Sequence, residues 1–443
     1  LQAHRACENR YRRKSGLRKV GALGQSMSRD PIGEIVSYNK PLLEHEVPRQ
    51  GAGGDLTREA LRRKLEALAC SALRFFRGTF HLMAWDLLQA RVPGAKAEAP
   101  EGHIVGDLHI ENFGVYRGQS GELCFDVNDF DDIGHGPLDL DLKRLCTSAW
   151  LLPGLSTAVR AQAAREIAFT WADEVDKLGG RFPVPAWTVA KADGLVRELL
   201  NQHGAKKRDE LFDKVAPGKG HKSLEDPQKF AQPAKPWVEV AQKAFAEYVG
   251  NLHQLKAPDP PDGWDVLDLA YQFKGTGSLG RLRFAVLVGK GDERRLFELK
   301  EARPSAMDAA RGLPPPRDRG RAQTASIRRL QGDPWPRVAA TRLGQFAGLG
   351  RENDVAEEKV ASDRFARGDQ HHEELNTYAR QCGQVLARLH CRHNAPAMFD
   401  TAWTAAEAAL AALDFAEKYA VQVEADQKAF MQSKSQIAKA LGL

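Results

Sequence analysis

The chain lacks long apolar runs, paired cysteines and internal repeats. Because no apolar stretch reaches the roughly 20 residues that cross a bilayer, we expect no transmembrane helix. The six cysteines are scattered and form no C-x-x-C pair, so the sequence predicts no disulfide framework. A large chain with dispersed cysteines and no signal-peptide pattern is typical of a reduced, cytoplasmic protein.

Net charge is also missing from most of the chain. The formal net charge of +6 lies within residues 1–26, which hold seven arginines and lysines against a single glutamate. Such a segment is usually solvated or disordered, although it has the charge to touch nucleic acid or anionic lipid. Outside this basic tail, the sequence gives no reason to expect a nucleic-acid partner.

The pattern of apolar residues predicts a mixture of helices and strands. Residues 58–90 carry apolar side chains at helical spacing, and residues 104–127 alternate as short strands with a hairpin turn. Residues 281–302 form two β-rich runs joined by GKGDER, and the Ala-rich chain from 355 onwards is helical in pattern. At 443 residues the chain exceeds the size of one small core, so we expect an α+β protein with two lobes.

The sequence IVGDLHIENFGVY concentrates four polar side chains, those of Asp107, His109, Glu111 and Asn112, directly after an apolar pair. Asp107 and Asn112 are five residues apart, as in the catalytic loop of protein kinases. In that loop the Asp orients the attacking hydroxyl group and the Asn holds a metal ion. The alternative interpretation is that Asp107 caps a turn and Asn112 satisfies a backbone group.

The segment FGVYRGQSGELCFDV predicts a hairpin, and NDFDD follows it. Asp129 comes just after the second strand, where a ligand carboxylate is often presented, and we predict that it binds a metal. Asp126 is the fallback ligand, because strand alternation places it with Asn128 on the face opposite Phe125. Carboxylate and amide oxygens beside phosphates suit Mg²⁺.

A glycine-rich segment, KGTGSLGRLRFAVLV, contains Gly275, Gly277 and Gly280 in G-x-G-x-x-G spacing, with Ser278 between them. A dinucleotide-binding fingerprint would be followed by a helix, whereas a β-rich run follows here. The context therefore favours the loop that covers ATP phosphates in kinases. Lys300 on the next strand would bind those phosphates, unless it is an edge-strand lysine that points to water.

Lys300 has no obvious carboxylate partner in the sequence. Glu301 should point to the opposite face of the strand, and residues 303–343 contain no glutamate that would serve as the usual helix partner. We expect Lys300 to pair with Asp308, with a more distant acid such as Glu352, or with phosphate alone.

These elements occur in the reverse of their order in kinases, which predicts a circularly permuted, two-lobed kinase-like fold with extra helices. We divide the chain into a basic tail, an N-terminal helical segment, a large-lobe part with the catalytic loop, a small-lobe glycine loop and hairpin, and a linker with C-terminal helices. These are residues 1–26, 27–103, 104–265, 266–302 and 303–443.

Two family resemblances add to this reading. GDLHIEN resembles the G-D-L-H-x-x-N loop of aminoglycoside and choline phosphotransferases, and VNDFDDIGHGPLDLDL resembles the segment that follows it in those enzymes. This resemblance implies that Asp107 is the base, that Asn112 and Asp129 hold the metal, and that Asp141 braces the catalytic loop.

The wider resemblance is to the bacterial family called domain of unknown function 2252. Its hallmark strings recur here in order across most of residues 70–430: FFRGTFHLMAWDL, GDLHIENFG, FDVNDFDD, GPLDLDLKRL, GTGSLG, LKEARPSA and FAEKYAVQVEAD. That family implies no activity, so the functional expectation depends on the residues themselves.

We expect an ATP- and Mg²⁺-dependent phosphotransferase that acts on an unidentified hydroxyl acceptor. One alternative is a nucleotide-binding pseudokinase that serves as a regulatory module. Another is a metal-dependent hydrolase built on Asp107, His109, Asp126, Asp129 and Asp131. The spacing of His390, Cys391 and His393 fits no standard zinc pattern, so we expect a helix surface there.

Overall fold

The computed structural model describes residues 29–51, 54–92, 94, 99–181, 183–205, 209–314, 316–354, 358–399 and 404–443. The predicted basic tail, residues 1–26, lies outside the described residues. The chain is a mixed α+β protein with several antiparallel sheets, which confirms the predicted class. Within these described ranges, no helix has the length and apolar character needed to span a membrane.

From residue 29 onwards, four α-helices precede the first strand: α1 (Pro31–Asn39), α2 (Leu56–Cys70), α3 (Ala72–Gly78) and α4 (Phe80–Leu88). Asp30 caps α1 by accepting the Gly33 amide at 2.9 Å, and Asp55 caps α2 by accepting the Thr57 amide at 2.7 Å. Such caps satisfy amides that have no partner within the helix. The buried apolar faces of α2 to α4 confirm the helices predicted over 58–90.

Four short strands follow: β1 (Glu101–Ile104), β2 (Phe113–Arg117), β3 (Leu123–Val127) and β4 (Gly134–Pro137). Strands β2 and β3 pair as an antiparallel hairpin in which Phe113 lies opposite Val127. The predicted hairpin is therefore confirmed. Strands β1 and β4 pair with each other, and this pairing brings together the two ends of the segment that carries the candidate site.

The next helices are α5 (Asp139–Trp150), α6 (Thr157–Leu178), α7 (Gly194–Ala205) and α8 (Asp209–Val215). Helix α5 is buried along almost its whole length, charged residues included. A helix in that position has to pair its charged side chains internally, and two of these pairs bear on the site described below.

A six-stranded antiparallel sheet forms the second part of the molecule. Its strands are β5 (Phe230–Ala231), β6 (Asp265–Gln272), β7 (Arg283–Lys290), β8 (Glu293–Glu301), β9 (Val338–Leu343) and β10 (Phe346–Asn353). Helix α9 (Lys235–Gln254) lies between β5 and β6 in the sequence. The strand order is β5-β6-β7-β8-β10-β9. Strands β7 and β8 form the hairpin predicted around GKGDER, with Gly291 at a φ of +58° in the turn. Phe245 and Tyr248 of α9 pack on Phe297 of the sheet.

The sheet extends beyond the predicted small-lobe segment 266–302, because β9 and β10 come from residues that the sequence pattern assigned to a linker. Between β8 and β9 lie α10 (Ala306–Ala310) and α11 (Arg319–Leu330). The remaining elements are β11 (Glu358–Lys359), α12 (Gln370–Phe399) and α13 (Ala405–Ala440). Helices α12 and α13 pack on α5 and α6 in the larger hydrophobic core, while the sheet and α9 share a second core.

Candidate functional site

The loop that carries Asp107 is fixed by the backbone and by one buried carboxylate. Asp141, on α5, accepts the amides of Val105 at 2.8 Å and Gly106 at 2.9 Å. Gly106 has a φ of +83°, which favours glycine, and a Cβ there would lie 2.5 Å from the Asp132 carbonyl oxygen. The predicted bracing role of Asp141 is confirmed by these contacts.

The Asp107 carboxylate forms an ion pair with Arg144 of α5. The Arg144 guanidinium is fully buried and lies 3.9 Å from the Phe76 ring centroid and 4.7 Å from that of Phe80. Burial raises the pKa of Asp107 to about 7; Arg144 opposes this shift and the nearby Asp132 charge adds to it. Asp107 therefore exchanges a proton near neutral pH, which is the range that a general base requires.

Asn112 closes a short 3₁₀ turn, Ile110–Asn112, directly after Asp107. Its Nδ2 donates to the Asp107 carbonyl oxygen at 2.7 Å. This bond uses the donor end of the amide and leaves Oδ1 as an acceptor. The Asn112 carbonyl oxygen accepts the Asn128 amide at 2.9 Å, so the loop is tied to the end of β3, where Asp129 follows.

Asp129 lies at the edge of the site with 37% of its side chain exposed. Lys359 of β11 approaches it, with Nζ 3.4 Å from Oδ2, because β11 pairs with β2 and places Lys359 opposite Gly114. Burial would raise the pKa of Asp129, but the charges of Lys359, Lys300 and Arg283 outweigh burial and hold that pKa well below its ordinary value. Asp129 is thus an ionised carboxylate.

Asp126, the fallback metal ligand, has another role. Its carboxylate is fully buried, lies 3.1 Å from Arg392 Nη1 on α12, and accepts the Gly332 amide at 3.1 Å. The Val127 amide donates to it at 2.8 Å. None of these partners belongs to the group around Asp107, because alternation along β3 directs Asp126 towards α12. We therefore leave Asp126 out of the metal site.

The predicted glycine loop connects β6 to β7 and lies directly over Asp107. A Cβ atom at Gly277 would be 3.4 Å from Asp107 Oδ2 and 3.1 Å from the Arg77 carbonyl oxygen. Gly275 and Gly280 have φ values of +76° and +94°, which side chains rarely tolerate. The glycines therefore permit both the turn and its close approach to Asp107.

The hydroxyl group of Ser278, also in the glycine loop, makes two hydrogen bonds. It donates to the Lys274 carbonyl oxygen at 3.0 Å and accepts from Arg283 Nη2 at 3.1 Å. Lys274 and Arg283 in turn contact the buried Glu298 at 3.2 and 2.9 Å. The loop is thereby attached to a charged cluster on the sheet.

Lys300 and Arg283 lie opposite each other on β8 and β7 and share one carboxylate. Asp131 forms an ion pair with Lys300 and lies 3.2 Å from Arg283. Lys300 thus pairs with a distant acid, as one alternative expected, but that acid is Asp131 and not one of the two residues named, Asp308 and Glu352. Glu352, one of them, pairs with Arg295 at 2.7 Å and with Arg337.

Sequence reasoning missed the main cations and the carboxylate that complete this cluster: Asp131, Arg144, Arg283 and Lys359. Asp131 was considered only for the hydrolase alternative. Arg144 lies in the string GPLDLDLKRL and Arg283 in the glycine-rich segment, but neither pattern indicates which carboxylate the arginine meets. Lys359 lies outside the quoted motifs. The NDFDD segment was the available signal for Asp131.

The chain can be placed by comparison with known families. The profile of the family described as "uncharacterized protein conserved in bacteria (DUF2252)" matches residues 56–433. The chain belongs to this family. Every predicted site residue lies within the matched range of the DUF2252 profile. No curated protein and no solved structure matches the chain significantly.

His109 and His390 of this DUF2252 chain make structural contacts. His109 lies 3.2 Å from both Arg77 Nε and the Glu111 amide, and burial holds its pKa well below the ordinary value. His390 and Cys391 are buried, so the predicted helix surface was wrong there; His390 Nε2 lies 3.3 Å from the Asp141 carboxylate. Across the described part of the chain, no three His, Cys, Asp or Glu side chains form a ready-made metal cage.

Proposed function

We propose that the chain is an ATP- and Mg²⁺-dependent phosphotransferase for a hydroxyl acceptor, built on a circularly permuted kinase-like fold. One observation carries the proposal. Asp107, Asn112 and Asp129 come from one segment of the chain, and Gly277 and Lys300 come from a distant one. They meet in a single charged site, with Gly277 over Asp107 and with Lys300 among the cations around Asp129.

Asp107 is the base in this proposal. The acceptor's hydroxyl oxygen forms a bond to the γ-phosphorus of ATP, and the bond from that phosphorus to the β–γ bridging oxygen breaks. ADP leaves with that electron pair, and Asp107 takes the hydroxyl proton. A pKa of about 7 suits this role. Arg144 orients the carboxylate through Nε at 3.2 Å.

Asn112 and Asp129 are the residues that would hold Mg²⁺. They offer one amide oxygen and one ionised carboxylate, and Mg²⁺ in nucleotide sites commonly takes one or two carboxylates together with phosphate oxygens and water. When bound, the ion supplies positive charge to the phosphates. The exposure of Asp129 leaves its carboxylate accessible.

Lys300 and Arg283 form the phosphate-binding side. Asp131 contacts both cations, and Glu298 also contacts Arg283, so nucleotide phosphates would compete with these carboxylates for the two cations. The glycine loop supplies backbone amides that approach phosphate without Cβ atoms in the way. Its position between two antiparallel strands, with Lys300 on the third, is the arrangement expected of a kinase small lobe.

A second candidate is a nucleotide-binding regulatory module without transfer. Two ion pairs favour this candidate. Arg144 pairs with Asp107, the proposed base, and Asp131 pairs with Lys300, the proposed phosphate ligand. The hydrolase alternative has less support, because Asp126 is committed to Arg392 and Asp131 to Lys300 and Arg283.

ADP formation from ATP and Mg²⁺ tests the proposal and separates it from the second candidate. Water can replace the acceptor, so we expect slow ADP formation that Asp107→Asn lowers by about 10²- to 10⁴-fold, with ATP affinity retained. Asp414→Ala, at an exposed ion pair on α13, is the matched control. ATP binding with no ADP formation by wild type, in the presence of candidate acceptors, would favour the regulatory module.

A further inference from the structure

A buried lysine lies against the glycine loop that covers Asp107. Lys64, on α2, is 1% exposed. Its Nζ donates to Asn39 Oδ1 at 2.8 Å and to the Gly277 carbonyl oxygen at 2.9 Å. Both of these acceptors are neutral. Burying an ammonium group that is bound only to neutral acceptors costs free energy, so a negative charge beside Lys64 would stabilise its charged form.

A second buried polar group lies beside Lys64. The His81 ring stacks on Tyr38, with centroids 4.0 Å apart and an angle of 7° between the planes. His81 is 2% exposed, and both of its ring nitrogens lack a hydrogen-bond partner. Lys64 Nζ lies 5.8 Å from the same Tyr38 ring. A ligand with polar atoms in this place would satisfy both side chains.

The charges around Lys64 leave an excess of positive charge. Arg281 lies 3.2 Å from Asp132, and Arg144 forms an ion pair with Asp107, so both carboxylates are already matched. Arg303 lies 6.0 Å from the Tyr38 ring, and the Glu301 carboxylate partly offsets its charge, so the charge without a partner is that of Lys64 itself. An anion fits this surplus, whereas a cation would meet repulsion.

The pKa of Lys64 reports the same surplus. Burial, with the charges of Arg281 and Arg303, lowers the pKa of Lys64 to about 7, although Asp132 and Asp107 partly oppose the shift. The other titratable groups that face it are Tyr38 and His81, and burial holds the pKa of His81 well below its ordinary value. An anion bound at Lys64 would raise this pKa and draw a proton onto the amine near neutral pH.

The glycine loop connects this group to the proposed reaction. Gly277 accepts from Lys64 through its carbonyl oxygen, and a Cβ on the same residue would lie 3.4 Å from Asp107 Oδ2. Lys64 and Asp107 therefore both lie close to Gly277, and one small molecule would reach both side chains. Lifting the loop to admit phosphates would release the Lys64 ammonium from the Gly277 carbonyl oxygen.

We propose that Lys64 and His81 form the acceptor subsite, and that the acceptor is a small hydroxyl compound with a carboxylate or phosphate group. The inference rests on the proposed role of Asp107, which would take the hydroxyl while Lys64 binds the anionic group. It separates this chain from the aminoglycoside and choline phosphotransferases whose loop it resembles, because their acceptors are cations.

Calorimetric titration with four probes tests the subsite: glycerate, glycerol 3-phosphate, glycerol and choline. Glycerate and glycerol 3-phosphate distinguish a carboxylate from a phosphate source of the charge. At a pH just above 7, in two buffers that differ in ionisation enthalpy, we expect at least one of these anions to bind with proton uptake. Glycerol and choline should bind at least about tenfold more weakly, since each lacks the charge-assisted contact.

Variants locate the binding. Lys64→Met, which keeps an unbranched side chain one atom shorter but removes the amine, should weaken anion binding by about tenfold to a hundredfold and abolish proton uptake. Arg62→Met removes a charge from an exposed position of the same helix and should change neither. His81→Phe keeps the stacking with Tyr38 but removes both nitrogens, and it should weaken binding even if Lys64→Met fails to fold.

Titration of each variant with ATP and Mg²⁺ separates this inference from the proposed function. A folded Lys64→Met variant that binds ATP but loses the anion supports the subsite. Loss of ATP with unchanged anion binding would make Lys64 a support of the glycine loop and overturn the subsite. A wild type that binds the anion but not ATP would refute the phosphotransferase, whereas ATP binding with no anion binding would refute the subsite alone.

Discussion

Asp107 and Asp129 lie on two sides of one site, and their surroundings shift their pKa values in opposite directions. Burial raises the pKa of Asp107 to about 7, despite the ion pair with Arg144. Around Asp129 the charges of Lys359, Lys300 and Arg283 outweigh burial and lower the pKa. Two carboxylates with such opposite shifts can serve as a base and as a permanently charged ligand.

Asp129 also differs from Asp126, which lies only three residues earlier, in the exposure of its side chain and in its ion-pair partner. Asp129 is exposed at the site and meets a half-exposed lysine, whereas Asp126 is fully buried with Arg392. The first arrangement leaves a carboxylate accessible to a ligand. The second stabilises the attachment of β3 to α12. Single substitutions test each of these differences separately.

The largest effect on stability is expected for Asp126→Asn. It leaves the Arg392 guanidinium, which is 7% exposed, without its charge partner, and breaking a buried pair costs about 3–5 kcal/mol. Asp129→Asn should cost about 1 kcal/mol or less, because its ion pair is half-exposed. Urea unfolding of both variants measures the difference. Equal losses would show that the two carboxylates do not differ as described.

A smaller effect is expected from pH on the rate of ADP formation at saturating ATP and Mg²⁺. Only the ionised Asp107 accepts a proton, so the rate should fall as the pH drops through about 7. The fall should be about tenfold per pH unit below that value. Asp129 stays ionised throughout, because its pKa is lowered. A rate that is flat down to about pH 5 would exclude Asp107 as the base.

The smallest effect is expected on the affinity for ATP, when either partner of the Lys300–Asp131 ion pair is replaced. Lys300→Met removes a phosphate ligand and should weaken ATP binding by about tenfold. Asp131→Asn removes the competing carboxylate and should strengthen ATP binding by a few-fold. Calorimetric titration of both variants measures these opposite changes. Weaker binding in Asp131→Asn would instead make Asp131 a ligand of the metal ion.

Local features of this site were predictable from the sequence, because spacing along a loop determines them. The five-residue spacing of Asp107 and Asn112 placed both in one turn, where Asn112 donates to the Asp107 carbonyl oxygen. The β2–β3 hairpin followed from strand alternation and turn residues in the same way. The bracing by Asp141 was implied only by the resemblance to the phosphotransferase loop. The glycines between β6 and β7 indicated a loop that approaches other atoms closely.

Long-range partners were not predictable, since they depend on how distant elements pack. Arg144 and Lys64 lie in helices whose apolar pattern predicted the helix but not the carboxylate or carbonyl oxygen that each one meets. Lys359 reaches Asp129 only because β11 pairs with β2. For Asp126, alternation gave the correct face of β3 but could not indicate that Arg392 of α12 covers that face.

The most direct test of the central claim is calorimetric titration of the wild-type chain with ATP, with and without Mg²⁺, beside Asp129→Ala and the Asp414→Ala control. We predict binding that Mg²⁺ strengthens, that Asp129→Ala loses and that Asp414→Ala retains. Absence of ATP binding to a folded wild type would contradict the account, because the glycine loop, Lys300 and Asp129 would then meet for a structural reason alone.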